Sequence, residues 1–345
     1  MGRASLLVVM GFLVVFGTLK SSINKTVQSL TRNLVSSFED YSARDAAGSS
    51  VLIALRKISK DNDLRGTITL PPFSGASATV TVVDSTTDST LARNEVRLLA
   101  TASVGSTSRK VKVLAKRESL VPQDTEAAIG LKGAVTSVDF LGAAFLIDGH
   151  DWLPGGPLAS PADSVPGVSA SSAADSTALV AGLGPSWNQV QGAGPEPSIS
   201  TLKGTYDFNR MFQGFRSVAT RILSVRTTIG GGQVWGTRAQ PEVTIISGIV
   251  KVAGATSGVG VLAVDGSLTV TGNFYWEGFI LVKSAGSIEL QGNSTIYGGL
   301  LCESGPAGFG FRSQGSMSLY YSSSSLETAR SKLDINYFKP YAWYE

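Results

Sequence analysis

The stretch that decides the fold runs from Gly260 to Leu301 and reads GVLAVDGSLTVTGNFYWEGFILVKSAGSIELQGNSTIYGGLL. Moved along the chain by twenty residues, its segment GSLTVTGN (266–273) aligns with GSIELQGN (286–293). Glycines recur at steps of six, with one step of eight, at Gly248, Gly254, Gly260, Gly266, Gly272, Gly278, Gly286, Gly292 and Gly298. The pattern consists of short apolar strands separated by glycine turns, and it repeats about every twenty residues. It predicts a β-solenoid from 241 onward.

Residues within such a coil alternate between its inside and its outside. Phe274 and Trp276 are therefore expected to fill the coil, and Tyr275 and Glu277 to face outward as a candidate pair for binding a surface glycan. The alternative is a fully exposed aromatic patch over 274–277.

The sequence also predicts the positions of three other residues in or next to the repeat. Asn273 and Asn293 occupy equivalent positions, so that their amides are expected to stack as a ladder from coil to coil. Cys302 follows two leucines and is expected to point into the core as a small apolar residue.

The chain begins with a second informative stretch. Ala4–Leu19 reads ASLLVVMGFLVVFGTL, sixteen residues without a charge, just under the length of a membrane-spanning helix. A retained helical anchor, a cleaved signal peptide and a buried core helix are the three interpretations. Because no glycine or proline lies between Thr18 and Ala47, a helix that starts in the apolar run continues to about residue 60, which favours the anchor.

Along this helix the apolar residues keep a spacing near 3.5, as in a helix that packs lengthwise against partners. The residues predicted to pack in a membrane or filament are Leu6, Leu7, Val8, Val9, Phe12, Val15, Phe16, Leu19, Ile23, Val27, Leu30, Leu34 and Phe38. The stripe continues through Tyr41 and resumes at Leu52, Leu55 and Ile58, after Gly48. Such a helix needs other helices or lipid at its start and a globular domain further on.

Three segments of this chain resemble type IV pilin-like proteins of the PilX-type pilus-assembly class, which are minor pilins. The opening GRASLLVV (2–9) is similar to the start of those proteins, and ARDAAG (43–48) to the small-residue stretch that ends their N-terminal region. The segment 260–273 resembles the β-solenoid at the carboxy terminus of many of them.

The resemblance implies a helix that is first an inner-membrane anchor and then the packed core of an extracellular filament. It also implies that a leader is cut after Gly2. The fifth mature residue would then be Leu7, where filament-forming major pilins usually carry glutamate, a departure that fits a minor or atypical subunit.

Between the helix and the solenoid, alternating segments at 79–83, 95–102 and 109–116 predict an antiparallel sheet laid on the helix. The expected fold is α+β: helix 1–62, pilin-like sheet region 63–151, a Pro/Ser/Ala/Gly-rich loop 152–204, helix and connector 205–240, and solenoid with cap 241–345. The helix is predicted over 205–224, and the cap from 326–333 closing the solenoid end. The aromatic tail 337–344 is expected to dock on a neighbour.

Composition argues against several function classes. Lys and Arg number 29 and Asp and Glu 26, a net charge of +3, too balanced to indicate a nucleic-acid partner. One histidine and one cysteine cannot build a His/Cys metal cluster or a disulfide framework, and no cofactor is expected. A weak calcium candidate is the pair Asp148 and Asp151, against the simpler interpretation of a polar turn.

These patterns leave three functions to consider. The first is a structural filament subunit, whose partners are itself or other pilins and whose location is the bacterial inner membrane and then the cell surface. The second is a membrane-anchored adhesin whose solenoid binds a glycan. The third, an enzyme, is not expected: the only acids between 248 and 301 are Asp265, Glu277 and Glu289, which form no evident catalytic pair.

Overall fold

The computed structural model describes residues 2–61, 64–73, 75–92, 94–123, 125–135, 144–160, 164–224, 226–283, 286–304, 310–333 and 335–344, without side chains at 2–8, 60, 144, 160, 311 and 313. The chain forms two compact units, one from Met1–Glu118 with Asn336–Glu345 and the other from Ser119–Ile335. The predicted α+β class is confirmed: a long helix, an antiparallel sheet and a solenoid of parallel strands.

The first unit is a single helix packed on a sheet. The helix, α1, spans Gly2–Lys60 without interruption at Gly48. The sheet has the order β1 (Gly66–Phe73), β2 (Ala76–Asp84), β3 (Glu95–Val104), β4 (Thr107–Ser119) and β24 (Asn336–Tyr344). The first four strands pair antiparallel with their neighbours, and alternate residues of β2 and β3 are buried, as a sheet with one covered face requires.

The last strand of this sheet comes from the segment that the sequence assigned to the solenoid module. β24 hydrogen-bonds to β4, and Phe338 lies buried in the same core as Ile58 of α1. Alternating large side chains favour a strand, and the free edge of β4 offers the backbone groups that such a strand needs.

The helix meets the sheet through a stripe of mostly small residues. This sheet-facing stripe consists of Ala43, Ala47, Val51, Ala54 and Ile58, all completely buried. Small side chains let the sheet approach the helix closely, and they cluster with the inward residues of β2, β3 and β4.

The second unit is the solenoid, whose strands stack in parallel apart from one short antiparallel pair. Its strands are β5 (Ile129–Lys132), β6 (Ala144–Asp148), β7 (Asp151–Trp152), β8 (Leu158–Ser160), β9 (Val168–Ala170), β10 (Val190–Gln191), β11 (Ile199–Thr201), β12 (Arg221–Ser224), β13 (Thr227–Gly230), β14 (Gln233–Trp235), β15 (Glu242–Ser247), β16 (Ile249–Ala253), β17 (Thr256–Val264), β18 (Ser267–Thr271), β19 (Phe274–Val282), β20 (Ser287–Gln291), β21 (Ser294–Glu303), β22 (Phe311–Gln314) and β23 (Ser316–Tyr321). Its helices are α2 (Ala173–Leu183), a 3₁₀ helix (Gly184–Gln189), α3 (Phe208–Ser217) and α4 (Ser323–Leu333).

The coil length differs from the expected twenty residues along part of the solenoid. Glu242 pairs with Gly260, and Gly260 with Gly278, so these coils are eighteen residues long. Phe274 pairs with Ser294, so that the next coil has twenty. The shorter coils follow directly from glycines every six residues, three to a coil.

Glycines of successive coils stack above one another. Gly260, Gly278 and Gly298 form one such column, with positive φ angles of 128°, 124° and 140°. A Cβ at Gly278 would lie 2.2 Å from the carbonyl oxygen of Gly260, and one at Gly298 would lie 1.8 Å from that of Gly278. Both the backbone conformation and the close approach of the coils therefore require glycine.

The solenoid also includes segments that the sequence assigned elsewhere. β5 pairs parallel with the end of β21, and β6 pairs parallel with β23, so these two strands form the coil after the C-terminal one rather than part of the pilin-like sheet. β9 and β10 add a further coil, so that the predicted loop 152–204 contains buried strands and α2. Residues 136–143 of this region lie outside the described residues.

Two helices of the solenoid differ from their predictions. α3 ends at Ser217, not near 224, because the residues after it form β12, which pairs with β15. α4 packs across β17, β19 and β21, on the side of the solenoid, rather than over its open end. The coil formed by β5 and β6 covers the C-terminal coil instead.

Candidate functional site on the first helix

About half of the exposed large apolar side chains of the described residues lie on one part of α1, from Val9 to Tyr41. From Val9 to Phe16 the large side chains are more than half exposed on every side of the helix. Further on, the large apolar residues that are exposed lie mainly on the predicted seam, with Leu30 at 63% and Leu34 at 73%. Exposed apolar surface of this extent marks a site of contact with another protein or with lipid.

The exposed seam and the sheet-facing stripe lie on opposite sides of α1. We call the exposed row the outward stripe; its members are Leu19, Ile23, Val27, Leu30, Leu34, Phe38, Tyr41 and Leu52. At about 100° per residue, this row centres about 130–150° around the helix from Ala47 and Ala54. Since Leu52 is 59% exposed while Ala54 is buried, the outward stripe continues alongside the part of the helix that the sheet covers.

The turn between β3 and β4 fixes the place where α1 leaves the sheet. Asp40 forms an ion pair with Arg109, and this contact raises the pKa of the Arg109 guanidinium. The carboxylate of Glu39 accepts hydrogen bonds from the hydroxyls of Ser106, at 3.3 Å, and Thr107, at 3.2 Å. N-terminal to these contacts, the described side chains of α1 are exposed on all sides.

A groove of about 440 Å³ lies beside the outward stripe, where α1 reaches this turn, and Val27 is the member of the stripe that lines it. Val27 and Val35 supply apolar walls, Arg32 and Glu39 supply charges, and Ser106 closes the side formed by the turn. Between Val9 and Phe38 the charged residues are Lys20, Lys25 and Arg32, all cationic. The helix thus presents an apolar stripe that is bordered by positive charge.

Part of the predicted helix surface lies outside the residues whose side chains the structure describes. Leu6, Leu7 and Val8 lie on the helical backbone, but their side chains are outside the described set. Gly2, the expected cleavage site, is the first residue of α1. Judged by length and apolarity together, none of the described helices qualifies as a membrane span.

The predicted calcium pair is engaged in hydrogen bonds within the solenoid unit. Asp148 accepts from the His150 backbone N–H at 2.9 Å and from the Trp152 indole at 2.9 Å. Asp151 accepts from the N–H and the hydroxyl of Ser323, at 2.8 and 2.7 Å, and so caps the start of α4. Among the described residues, no group of three or more His, Cys, Asp or Glu is placed to hold a metal ion.

Tyr275 and Glu277, the predicted surface pair, differ in position: Glu277 is buried and Tyr275 is partly exposed. Glu277 is only 5% exposed and forms a bidentate ion pair with Arg238, with nitrogen–oxygen distances of 2.6 and 2.8 Å. It also accepts a 2.5 Å hydrogen bond from the Tyr275 hydroxyl. Glu277 therefore holds Tyr275 in place, and Tyr275 is the member that reaches the surface. Phe274 and Trp276 are buried inside the coil, with their rings stacked 6.1 Å apart.

Leu55 and Ile58, which the sequence assigned to the resumed seam, are instead buried against the sheet, and the small residues of the sheet-facing stripe were missed. Its small residues follow the helical spacing of 4, 4, 3 and 4, but alanines give little hydrophobic contrast. Arg238 was missed as well, because nothing in the sequence near 238 indicates a partner that lies 39 residues away.

No protein-family model matches the chain, and no curated protein matches it either. Among solved structures it is similar to the competence-associated pilin ComZ from Thermus thermophilus, with 9% sequence identity and a TM-score of 0.23. The match covers 89% of this chain and 97% of that chain. A likeness at this score carries no argument about fold or function.

Proposed function

We propose that this chain is a structural subunit of a type IV pilus-like extracellular filament, in which copies pack through the outward stripe of α1. The observation that carries the proposal is the division of α1 into two stripes. One stripe is buried on the chain's own sheet, and the other is apolar and exposed, with regular spacing from Leu19 to Tyr41 and a further member at Leu52.

Burial of this stripe would release a large free energy. Each exposed Leu, Ile or Phe that becomes fully buried contributes about 1.5–3 kcal/mol, and the stripe has eight large side chains. Residues spaced about 3.5 apart form one apolar row along a helix. The same row on a neighbouring helix can pack against it side chain to side chain. A second copy of the chain, or another pilin, is the partner that brings such a helix.

The finer parts of the proposal rest on the sequence resemblance. We assign the chain to the PilX-type minor pilins, with residence in the bacterial inner membrane before assembly and display on the cell surface afterwards. Processing after Gly2 belongs to the same proposal, and Leu7 in the fifth mature position favours a minor subunit. No catalytic role is assigned.

The test compares one substitution on each side of α1. Leu30→Asp places a charge in the outward stripe, and Ser29→Asp places the same charge on the polar side of the same turn. Since both positions are exposed in the single chain, neither change is expected to unfold the sheet or the solenoid. We expect Leu30→Asp to remove the protein from the fibres in sheared surface material, and Ser29→Asp to leave it there.

The alternative is an adhesin that α1 only tethers to the membrane. In that case the wild-type chain stays in the membrane fraction and never enters fibres, and Leu30→Asp changes nothing in the sheared fraction. N-terminal sequencing of the native protein tests the processing step separately.

A further inference from the structure

One corner of the solenoid forms a groove that neither the filament role nor the fold requires. It has a volume of about 530 Å³, within the usual range for ligand sites, and crosses β14, β17, β19 and β21. Four adjacent strands span three strand spacings, or about 14 Å. The groove is therefore long enough for several units of a linear polymer.

The walls of the groove carry amides and hydroxyls. The amides belong to Gln233, Asn273 and Asn293, and the hydroxyls include those of Ser257 and Thr295. Asn273 and Asn293 are exposed, and neither side chain hydrogen-bonds to another described residue, so the predicted amide ladder is not formed. Each amide is thus able to offer a donor and an acceptor to a ligand.

The aromatic ring of Tyr275 forms part of the wall and is held at a fixed angle. Its hydroxyl donates to the buried carboxylate of Glu277, which Arg238 anchors from the other side. Burial raises the pKa of Tyr275, so this hydroxyl stays protonated. The ring also packs against Tyr297, with centroids 6.1 Å apart. A ring restrained in this way binds a ligand at little cost in conformational entropy.

The chemistry of the lining excludes several ligand classes. None of the residues lining the groove is charged, whereas nucleic acids and anionic polymers require cations. The groove mainly crosses the faces of β17, β19 and β21, which are paired on both sides, so a peptide that lies along it finds no free edge there. β14, at one end of the groove, pairs with β17 alone. What remains is a neutral molecule with many hydroxyl groups and some apolar C–H surface.

We infer that this groove, lined by the amides of Gln233, Asn273 and Asn293, binds a neutral polysaccharide. Sugar hydroxyls hydrogen-bond to Asn273 and Asn293, and one face of a sugar ring packs on Tyr275. Glu277 and Arg238 are positioning residues that keep the ring in place. The inference is independent of the filament proposal, because the groove lies wholly in the solenoid unit.

The experiment uses the full chain in a zwitterionic detergent, since a detergent with a sugar headgroup would compete. Its mobility is measured in native gels that contain dextran, galactomannan or soluble chitin oligosaccharides, with alginate as the anionic counterpart. We expect retardation by at least one neutral glycan and none by alginate. Tyr275→Ala and the double change Asn273→Ala/Asn293→Ala should each weaken binding by roughly tenfold or more.

Trp187→Ala is the matched control, because Trp187 is an exposed aromatic residue of the same unit outside the groove. It should bind like the wild type, and thermal unfolding should show that all variants are folded. The inference is overturned if no neutral glycan retards the wild-type chain, if alginate binds as well, or if folded groove variants bind normally.

Discussion

At the scale of single residues, the glycine columns of the solenoid permit a sharp stability test. Gly278→Ala adds a Cβ 2.2 Å from a carbonyl oxygen and places alanine at φ 124°, so we expect a loss of at least about 2 kcal/mol in the free energy of unfolding. Gly230→Ala is the control, since its Cβ meets nothing within 4 Å. Urea unfolding measures both variants. Equal stabilities would mean that the coils are not stacked as described.

Asp84 provides a pH-dependent test in the first unit. Hydrogen bonds from Thr86, at 2.5 Å from the hydroxyl, together with the Arg65 guanidinium, lower the pKa of Asp84 to about 2. Because the pKa is depressed in the folded state, the stabilisation is present above the unfolded value near 4 and is lost as the pH falls towards 2.

We therefore expect Asp84→Asn to lower the free energy of unfolding by about 1–2 kcal/mol at pH 7 and by little at pH 2. Unfolding curves at both pH values give the comparison. A difference that does not change with pH would show that the carboxylate charge plays no part.

The surface pair of the solenoid shows what a single sequence predicts at this scale. Alternation along the strand correctly placed Phe274 and Trp276 inside the coil. It could not predict that Glu277 would be buried, because an acidic residue becomes buried only when a partner compensates its charge. That partner, Arg238, comes from another coil, and no local pattern links the two residues.

At the scale of elements, α1 separates a folding surface from an assembly surface. Ala47→Leu should overpack the interface with the sheet and cost about 1–3 kcal/mol in the stability of the first unit. Leu30→Ala lies in the outward stripe and should change that stability by less than about 0.5 kcal/mol. Chemical unfolding in detergent compares them, and a larger effect of Leu30→Ala would contradict the division.

The sequence predicted the long helix and the large-residue seam because large apolar side chains stand out at a helical period. The sheet-facing stripe was not predicted, since its function depends on small size rather than hydrophobicity. In the solenoid, the glycine period predicted the coils from 241 onward. The coils built from 129–191 carry no such period, and their parallel pairing with β21 and β23 joins segments that are far apart in the chain.

At the scale of the whole molecule, the end of the chain returns to the unit in which it began. Phe338 of β24 is buried in the core of the first unit, so Phe338→Ala should cost about 3–5 kcal/mol there. Hydrogen exchange should accelerate in β1–β4 and stay unchanged in β15–β21. Faster exchange in the solenoid strands instead would contradict the division into units. Sequence alone could not foresee this return, because strand patterning does not identify the partner of an edge strand.

The central claim is that the outward stripe of α1 is covered when copies assemble, and thiol protection tests it most directly. The single natural cysteine, Cys302, is buried, and burial raises the pKa of its thiol, so it reacts slowly and leaves a low background. Leu30→Cys, with Ser29→Cys as its partner on the polar side, is labelled with a maleimide in detergent and in sheared fibres. We predict that labelling of Leu30→Cys slows at least about tenfold in the fibres and clearly more than that of Ser29→Cys. Equal labelling of Leu30→Cys in both states would contradict the claim.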